Sequence, residues 1–240
     1  MSAAVVWHDV ECGSYTADLP LWRELAAAAD GRILDLGAGT GRVALDLADR
    51  GRDVVALDLD GELLDALAAR AARRGLSVEC VRADARELTG GGSYALMLAP
   101  MQLLQIVGGP AGRTAILRAA AAGLAPGGLF AAAIADVDES LPTDEAVPPV
   151  PDMGEHDGWV YSSLPVDVRP QAGGVAVERL RQRVSPRGQL ERERHTQVLE
   201  SLPVERLERE AAGAGLTPIE RRPIPATADH IGSMVVVCRR

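Results

Sequence analysis

The 240-residue sequence predicts an α/β fold on a doubly wound parallel sheet, and three observations carry that expectation. Short apolar runs alternate through the first half with segments of helical periodicity, the pattern of a sheet buried between two layers of helices. The run Ile33-Leu34-Asp35-Leu36 leads into a loop with Gly37, Gly39 and Gly41. The next apolar run, Val54 to Leu57, ends in Asp58. Glycine lets backbone amides approach a ligand where a Cβ would collide. A carboxylate at the tip of the next strand can accept both hydrogen bonds of a ribose diol. Together they describe a nucleoside-binding crevice at the carboxyl edge of a parallel sheet.

Each element follows in order. Residues 1–18 read as irregular, and a helix opens at Asp18 or Pro20 and runs to about Ala29. Strand 32–36 precedes the glycine loop, and a helix then ends near Gly51. Strand 53–58, a helix closed by Gly75, and strand 77–82 with Asp84 just beyond it come next. After a Gly90-Gly91-Gly92 turn, strand 94–98 is broken by Pro100. Helix 112–123 and a Pro126-Gly127-Gly128 turn lead to strand 129–135. The character then changes. Residues 138–157 read as an acidic, proline-rich loop, followed by strand-like runs at 159–168, 174–184 and 189–200. Ser185-Pro186-Arg187-Gly188 is a hairpin turn between the last two, and a helical reading of 189–200 stays open. A helix over 203–214 and strands near 217–224 and 231–238 finish the chain. The division expected is an N-terminal helical segment (1–30), a core (31–136), a lid loop and inserted antiparallel sheet (137–200), and closing elements of the core (201–240).

Bulk properties narrow the function. A hydrophobic content of 47% suffices for a core, and with 3% aromatic residues that core is aliphatic. A formal net charge of −9 argues against a general nucleic-acid binder, which needs clustered Lys and Arg. Three dispersed cysteines without a Cys-x-x-Cys point to a reducing, cytoplasmic setting with no disulfide framework. No secretory signal or membrane span is read, because the most apolar stretch is broken at Pro126. The four histidines lack metal-ligand spacing, so no metal is expected.

Four motifs in order carry a resemblance. Asp35-Leu36-Gly37-Ala38-Gly39-Thr40-Gly41, Val55-Ala56-Leu57-Asp58-Leu59-Asp60, Arg82-Ala83-Asp84-Ala85 and Leu124-Ala125-Pro126-Gly127-Gly128-Leu129 resemble those of class I S-adenosylmethionine (SAM)-dependent methyltransferases of the small-molecule type. The likeness covers about residues 15–136 well and the rest loosely. It implies a seven-stranded, Rossmann-like methyltransferase sheet with an inserted antiparallel β cover. It also implies SAM as cofactor and S-adenosylhomocysteine (SAH) as product. The backbone of Gly37, Ala38 and Gly39 would lie along the methionine part, and Asp35 would orient this loop or meet the amino group through water. Asp58 would take the ribose hydroxyls, Leu59 would pack on the adenine, and Asp84 with the Ala85 amide would read its polar edge. Ala99 lies at the exit of strand four near the transferred methyl. Tyr15 either closes over the cofactor or anchors on the core. The sequence departs from the family at Ala95, where many relatives carry Asp.

The acceptor is less legible. Ala99-Pro100-Met101-Gln102 lacks both the Asp/Asn-Pro-Pro-Tyr of nucleic-acid amino methyltransferases and the Pro-Cys of base-carbon methyltransferases. A small-molecule acceptor, methylated on O or N, is therefore expected, with the protein a monomer or homodimer. Met101, Gln102, Gln105, Trp159 and Tyr161 are candidates to touch it, although helix surface (Gln102, Gln105) and core packing (Trp159, Tyr161) are alternatives. Tyr15, His195 and His8 are candidate catalytic residues. Asp136, Asp138 and Glu139 stand where some catechol-type relatives bind magnesium, but read as an exposed acidic loop. Two rival functions remain: an NAD(P)-dependent oxidoreductase on a Rossmann sheet, and a non-catalytic SAM-binding partner subunit. Against the first, the glycines are spaced Gly-x-Gly-x-Gly, not Gly-x-Gly-x-x-Gly.

Overall fold

Apolar runs in the first half of the chain pair side by side in parallel. The computed structural model describes residues 1–88, 93–135, 137, 150–227 and 230–240. Its elements begin with α1 (Ala3–Cys12), α2 (Leu19–Ala28), β1 (Arg32–Leu36), α3 (Arg42–Asp49), β2 (Val54–Asp58), α4 (Gly61–Arg73) and β3 (Val78–Arg82). Next come β4 (Tyr94–Ala99), α5 (Leu103–Ile106), α6 (Gly109–Gly123) and β5 (Leu124–Ala135). Then follow β6 (Asp152–His156), β7 (Trp159–Gln171), β8 (Gly174–Val184) and β9 (Leu190–Glu200). The chain closes with α7 (Val204–Gly213), β10 (Thr217–Ile224) and β11 (Ser233–Arg239). The main sheet has seven strands in the order β10-β11-β5-β4-β1-β2-β3, with β10 and β11 antiparallel at one edge. Alternate residues of the central strands feed two cores, Ile33, Val54 and Leu96 on one face and Leu34, Val55 and Met97 on the other. Burial on both faces explains the continuous apolar runs.

The order of strands diverges at β1, which pairs with β2 on one side and β4 on the other. Such a switch point opens a crevice at the carboxyl ends. Gly41 starts α3 in a left-handed conformation (φ 93°), and a Cβ there would come within 2.6 Å of Leu67 Cγ on α4. Only glycine permits both the turn and this helix contact.

Three expectations are corrected, and one open alternative is decided in favour of the strand. Residues 3–12 form α1, whereas residues 1–18 read as irregular. Ser2 caps this helix by accepting from the Val5 amide at 3.4 Å, and its buried Val6, Trp7 and Val10 pack on Tyr161 of the second sheet. That partner lies more than 150 residues away, so local periodicity does not announce it. Strand β5 begins at Leu124, not 129. Tyr94 pairs with Leu124 and Leu96 with Leu129, so the Pro-Gly-Gly turn is a bulge within the strand. Residues 152–156, expected within the loop, form β6 at the edge of an antiparallel sheet ordered β6-β7-β8-β9. Residues 190–200 are strand and not helix: β8 supplies a matching ladder, with Glu191 held by Arg183 and Arg194 by Glu178. Gly90–Gly92, Asp136, Asp138 and Glu139 lie outside the described residues.

The end of β9 fastens the second sheet to the core. Arg113 of α6 is fully buried and holds Glu210 of α7 through two bonds of 2.7 and 2.9 Å, and also Glu200 at the end of β9. Gln105 of α5 donates to the Glu200 carbonyl (2.9 Å) and exchanges two bonds with the Ala135 backbone. No helix among the described residues is long and apolar enough to cross a membrane.

Candidate active site

A cavity of about 730 Å³ opens at the carboxyl ends of the parallel strands. Its floor combines Gly37, Asp58, Leu59, Asp84 and Ala85, the tips of three strands. Pro100, Met101 and Gln102 follow β4 along one wall. Trp7, His8, Glu11 and Cys12 of α1 cover it, joined by Arg181 and Gln197 from the second sheet. Met101 is held at φ 55°, a conformation costly for a side chain with a Cβ and one that clusters at ligand sites.

Asp58 binds the glycine loop to its own strand tip. Its Oδ2 accepts from the Gly39 amide at 2.8 Å and its Oδ1 from the Asp60 amide at 2.9 Å. The Ala38 amide donates to the Leu57 carbonyl at 3.0 Å, and the Ala83 amide to the Asp58 carbonyl at 3.1 Å, so all three strand tips are tied together. Asp84 accepts from the Arg86 amide at 2.9 Å and pairs with the same guanidinium, which holds its carboxyl below the usual range. Beneath the loop, Asp35 is wholly buried, and neither oxygen meets a hydrogen-bond donor in good geometry among the described residues. Burial raises its carboxyl to about 7, against the opposing pull of Arg42 and the Ala44 amide.

The covering side carries a denser network. Glu11 accepts from Arg181 at 2.7 and 2.8 Å and from Ser163 at 2.7 Å. Burial raises its carboxyl, and these bonds with the charges of Arg181 and Arg179 outweigh that effect, leaving it below the usual value. Arg181 also lies over the Trp7 ring at 5.3 Å. Burial lifts the Cys12 thiol to about 11, so it stays protonated and is no nucleophile.

Residues 33–128 match the family described as methyltransferase domain. An uncharacterized methyltransferase of Mycobacterium bovis is 50% identical over 56 residues, 23% of this chain and 22% of that protein. The chain thus matches about a fifth of that relative's length. The CcbJ methyltransferase from Streptomyces caelestis superposes with a TM-score of 0.70 at 24% identity, over 95% of this chain and 97% of the other. The sugar N-methyltransferase KedS8 from Streptoalloteichus gives a TM-score of 0.74 at 19% identity, over 100% and 93%. Residues 33–128 thus resemble a methyltransferase domain, and the whole chain shares the fold of solved SAM-dependent methyltransferases. The residues of this region also suit SAM by their chemistry. Asp35 offers an unmatched carboxylate under the loop, suited to a cationic amino group. Asp58 offers a carboxylate at the cavity floor beside an apolar wall of Leu57, Leu59 and Leu63.

The structure brings Gly37, Asp58, Leu59, Asp84, Ala85, Met101, Gln102 and His8 to one cavity. Other candidates stand elsewhere. Ala38 and Ala99 are buried in backbone pairing, and Gly39 is covered by His8. Tyr15 is an anchor: it is buried, 4.8 Å from the His230 ring and beneath Arg42, and it does not line the cavity. Gln105 is buried, gives both amide hydrogens to backbone carbonyls and accepts from a backbone amide, and it does not line the cavity. Tyr161 packs edge-on against Trp7, and Trp159 lies under Arg183, so both belong to the second sheet's packing. His195 pairs across from Arg179 on β9 and is not on the cavity wall. Sequence reasoning missed Trp7, Glu11, Arg181 and Gln197. For Arg181 and Gln197 the alternating charge on β8 and β9 was the signal, and it reads equally well as a solvated face; Trp7 and Glu11 lie on α1, in a segment that reads as irregular.

Proposed function

We propose that this chain transfers the methyl group of SAM to an oxygen or nitrogen of a small molecule by in-line displacement. One observation carries the reading: a single cavity has the glycine loop and two strand-tip acids on its floor and a separate polar cover above. Asp58 would hold the ribose hydroxyls, and the backbone at Gly37 the methionine part. Leu59 would flank the adenine, whose polar edge falls to the Ala85 amide and to Asp84. When bound, the sulfonium supplies an already activated methyl group. The protein then has to orient the acceptor and exclude water, an alignment worth roughly 7–11 kcal/mol. Trp7 and Ile106 give the acceptor apolar contact, while Glu11, Arg181 and Gln197 offer both donors and acceptors. This mixture suits a compact, hydroxyl- or amine-bearing molecule. The similarity to KedS8, a sugar N-methyltransferase, extends over the whole chain and supports the same class. Calorimetry with SAH tests the floor: Asp58→Ala weakens binding by about 1.5–3 kcal/mol, the range for hydrogen bonds to a charged group. Unchanged affinity would remove Asp58 from this role.

A further inference from the structure

Asp9, Thr40 and His8 form a chain of hydrogen bonds that ends at the cavity, and the place of each proton in it can be deduced. Arg70 grips both oxygens of Asp9, with Nη1 at 2.8 Å from Oδ1 and Nη2 on Oδ2. Burial raises this carboxyl, but the bonds from Arg70 and Thr40 prevail and hold it below the usual value. Asp9 is thus ionised and can only accept. Thr40 Oγ1 lies 2.8 Å from Asp9 Oδ1, so the single hydroxyl proton points there. His8 Nδ1 is 3.2 Å from the same Oγ1, which has only lone pairs left to offer. The ring proton therefore sits on Nδ1, and Nε2 keeps its lone pair.

Nε2 rests on the glycine loop. A Cβ at Gly39 would lie 2.2 Å from it, so glycine at this position admits the imidazole as well as the turn. His8 lines the cavity where the floor meets the α1 cover. We infer that His8, fixed as the Nδ1–H tautomer by Thr40 and Asp9, accepts the proton that the methyl acceptor gives up. The inference rests on the methyl-transfer reading above. In the step, a lone pair of the acceptor's O–H or N–H group forms the bond to the methyl carbon. The electron pair of the broken carbon–sulfur bond stays on sulfur, which becomes a neutral thioether. The acceptor's proton passes to Nε2 and later to water.

The charged groups around the ring are Asp9 on α1, Asp58 on β2, Arg42 on α3 and Arg70 on α4. Burial lowers the pKa of His8 below the ordinary 6.5, the two carboxylates oppose this, and the two arginines add to it. His8 is accordingly neutral at pH 7 and ready to accept.

Nitrogen NMR of the full chain with labelled histidine tests the tautomer without any turnover. The expected result is a His8 protonated at Nδ1 and bare at Nε2, with Thr40→Val mixing the two forms. A proton on Nε2 in the unaltered chain at pH 7 overturns the proposal. A second arm uses labelled SAM and a panel of aliphatic amines, phenols and glycosides. His8→Gln should bind SAH like the wild type yet lower kcat by on the order of 100-fold. It should also lose the acid limb, the fall in rate as pH drops through the His8 pKa. Undiminished kcat in His8→Gln overturns the role of His8 and leaves methyl transfer standing. SAH binding with no turnover of any panel member by the wild type overturns the methyl-transfer reading itself.

Discussion

Asp35 is a residue set against the fold in its charged form. Its carboxyl is buried without a hydrogen-bond donor in good geometry and titrates near 7, well above the 3.8 of an exposed aspartate. Between those values the folded chain retains a proton that the unfolded chain has released. The stabilising contribution is therefore complete below about pH 4 and declines toward pH 7, with a slope of about 1.4 kcal/mol per pH unit. Asp35→Asn keeps the shape and cannot titrate. Urea midpoints of the ligand-free chain from pH 4 to 7 should fall with pH in the wild type and lose most of that fall in the variant. Parallel curves would contradict the account. The positions of Asp35, Asp58 and Asp84 were legible in the sequence because each ends or interrupts an apolar run. The burial of Gln105 was not, since its partners, the backbones of Ala135 and Glu200, are 30 and 95 residues away.

At the scale of elements, the joint between α1 and the second sheet decides whether the cavity is covered. Glu11 is its centre, with bonds to Ser163 of β7 and Arg181 of β8. Glu11→Ala leaves two partly buried arginines short of a carboxylate and should cost about 2 kcal/mol, near the range for hydrogen bonds to charged groups. Urea denaturation measures it, and a loss below about 0.5 kcal/mol, the level of exposed ion pairs, would show the joint to be incidental. The strands of the main sheet were readable because burial on both faces leaves long apolar runs. Helix α1 was not, because its apolar residues are organised by Tyr161 and not by a local signal. Strand β9 was ambiguous for a related reason: its charges make sense only once Arg183 and Glu178 lie opposite them.

Over the whole molecule, two layers share one crevice. The seven-stranded sheet supplies the floor, and the four-stranded sheet with α1 supplies the cover. Arg113 and Gln105 bind the far end of β9 back to α6, α7 and β5, so the cover is fastened to the core beyond the cavity as well as above it. The core architecture could be anticipated from chain order alone, whereas the cover of the cavity depends on contacts between segments more than 150 residues apart. Everything proposed for the chemistry requires an adenosyl group on the floor of this crevice. Isothermal calorimetry of the full chain with SAH and, separately, with NAD tests that requirement most directly. The account predicts saturable heat with SAH and none with NAD; binding of NAD without binding of SAH would contradict it.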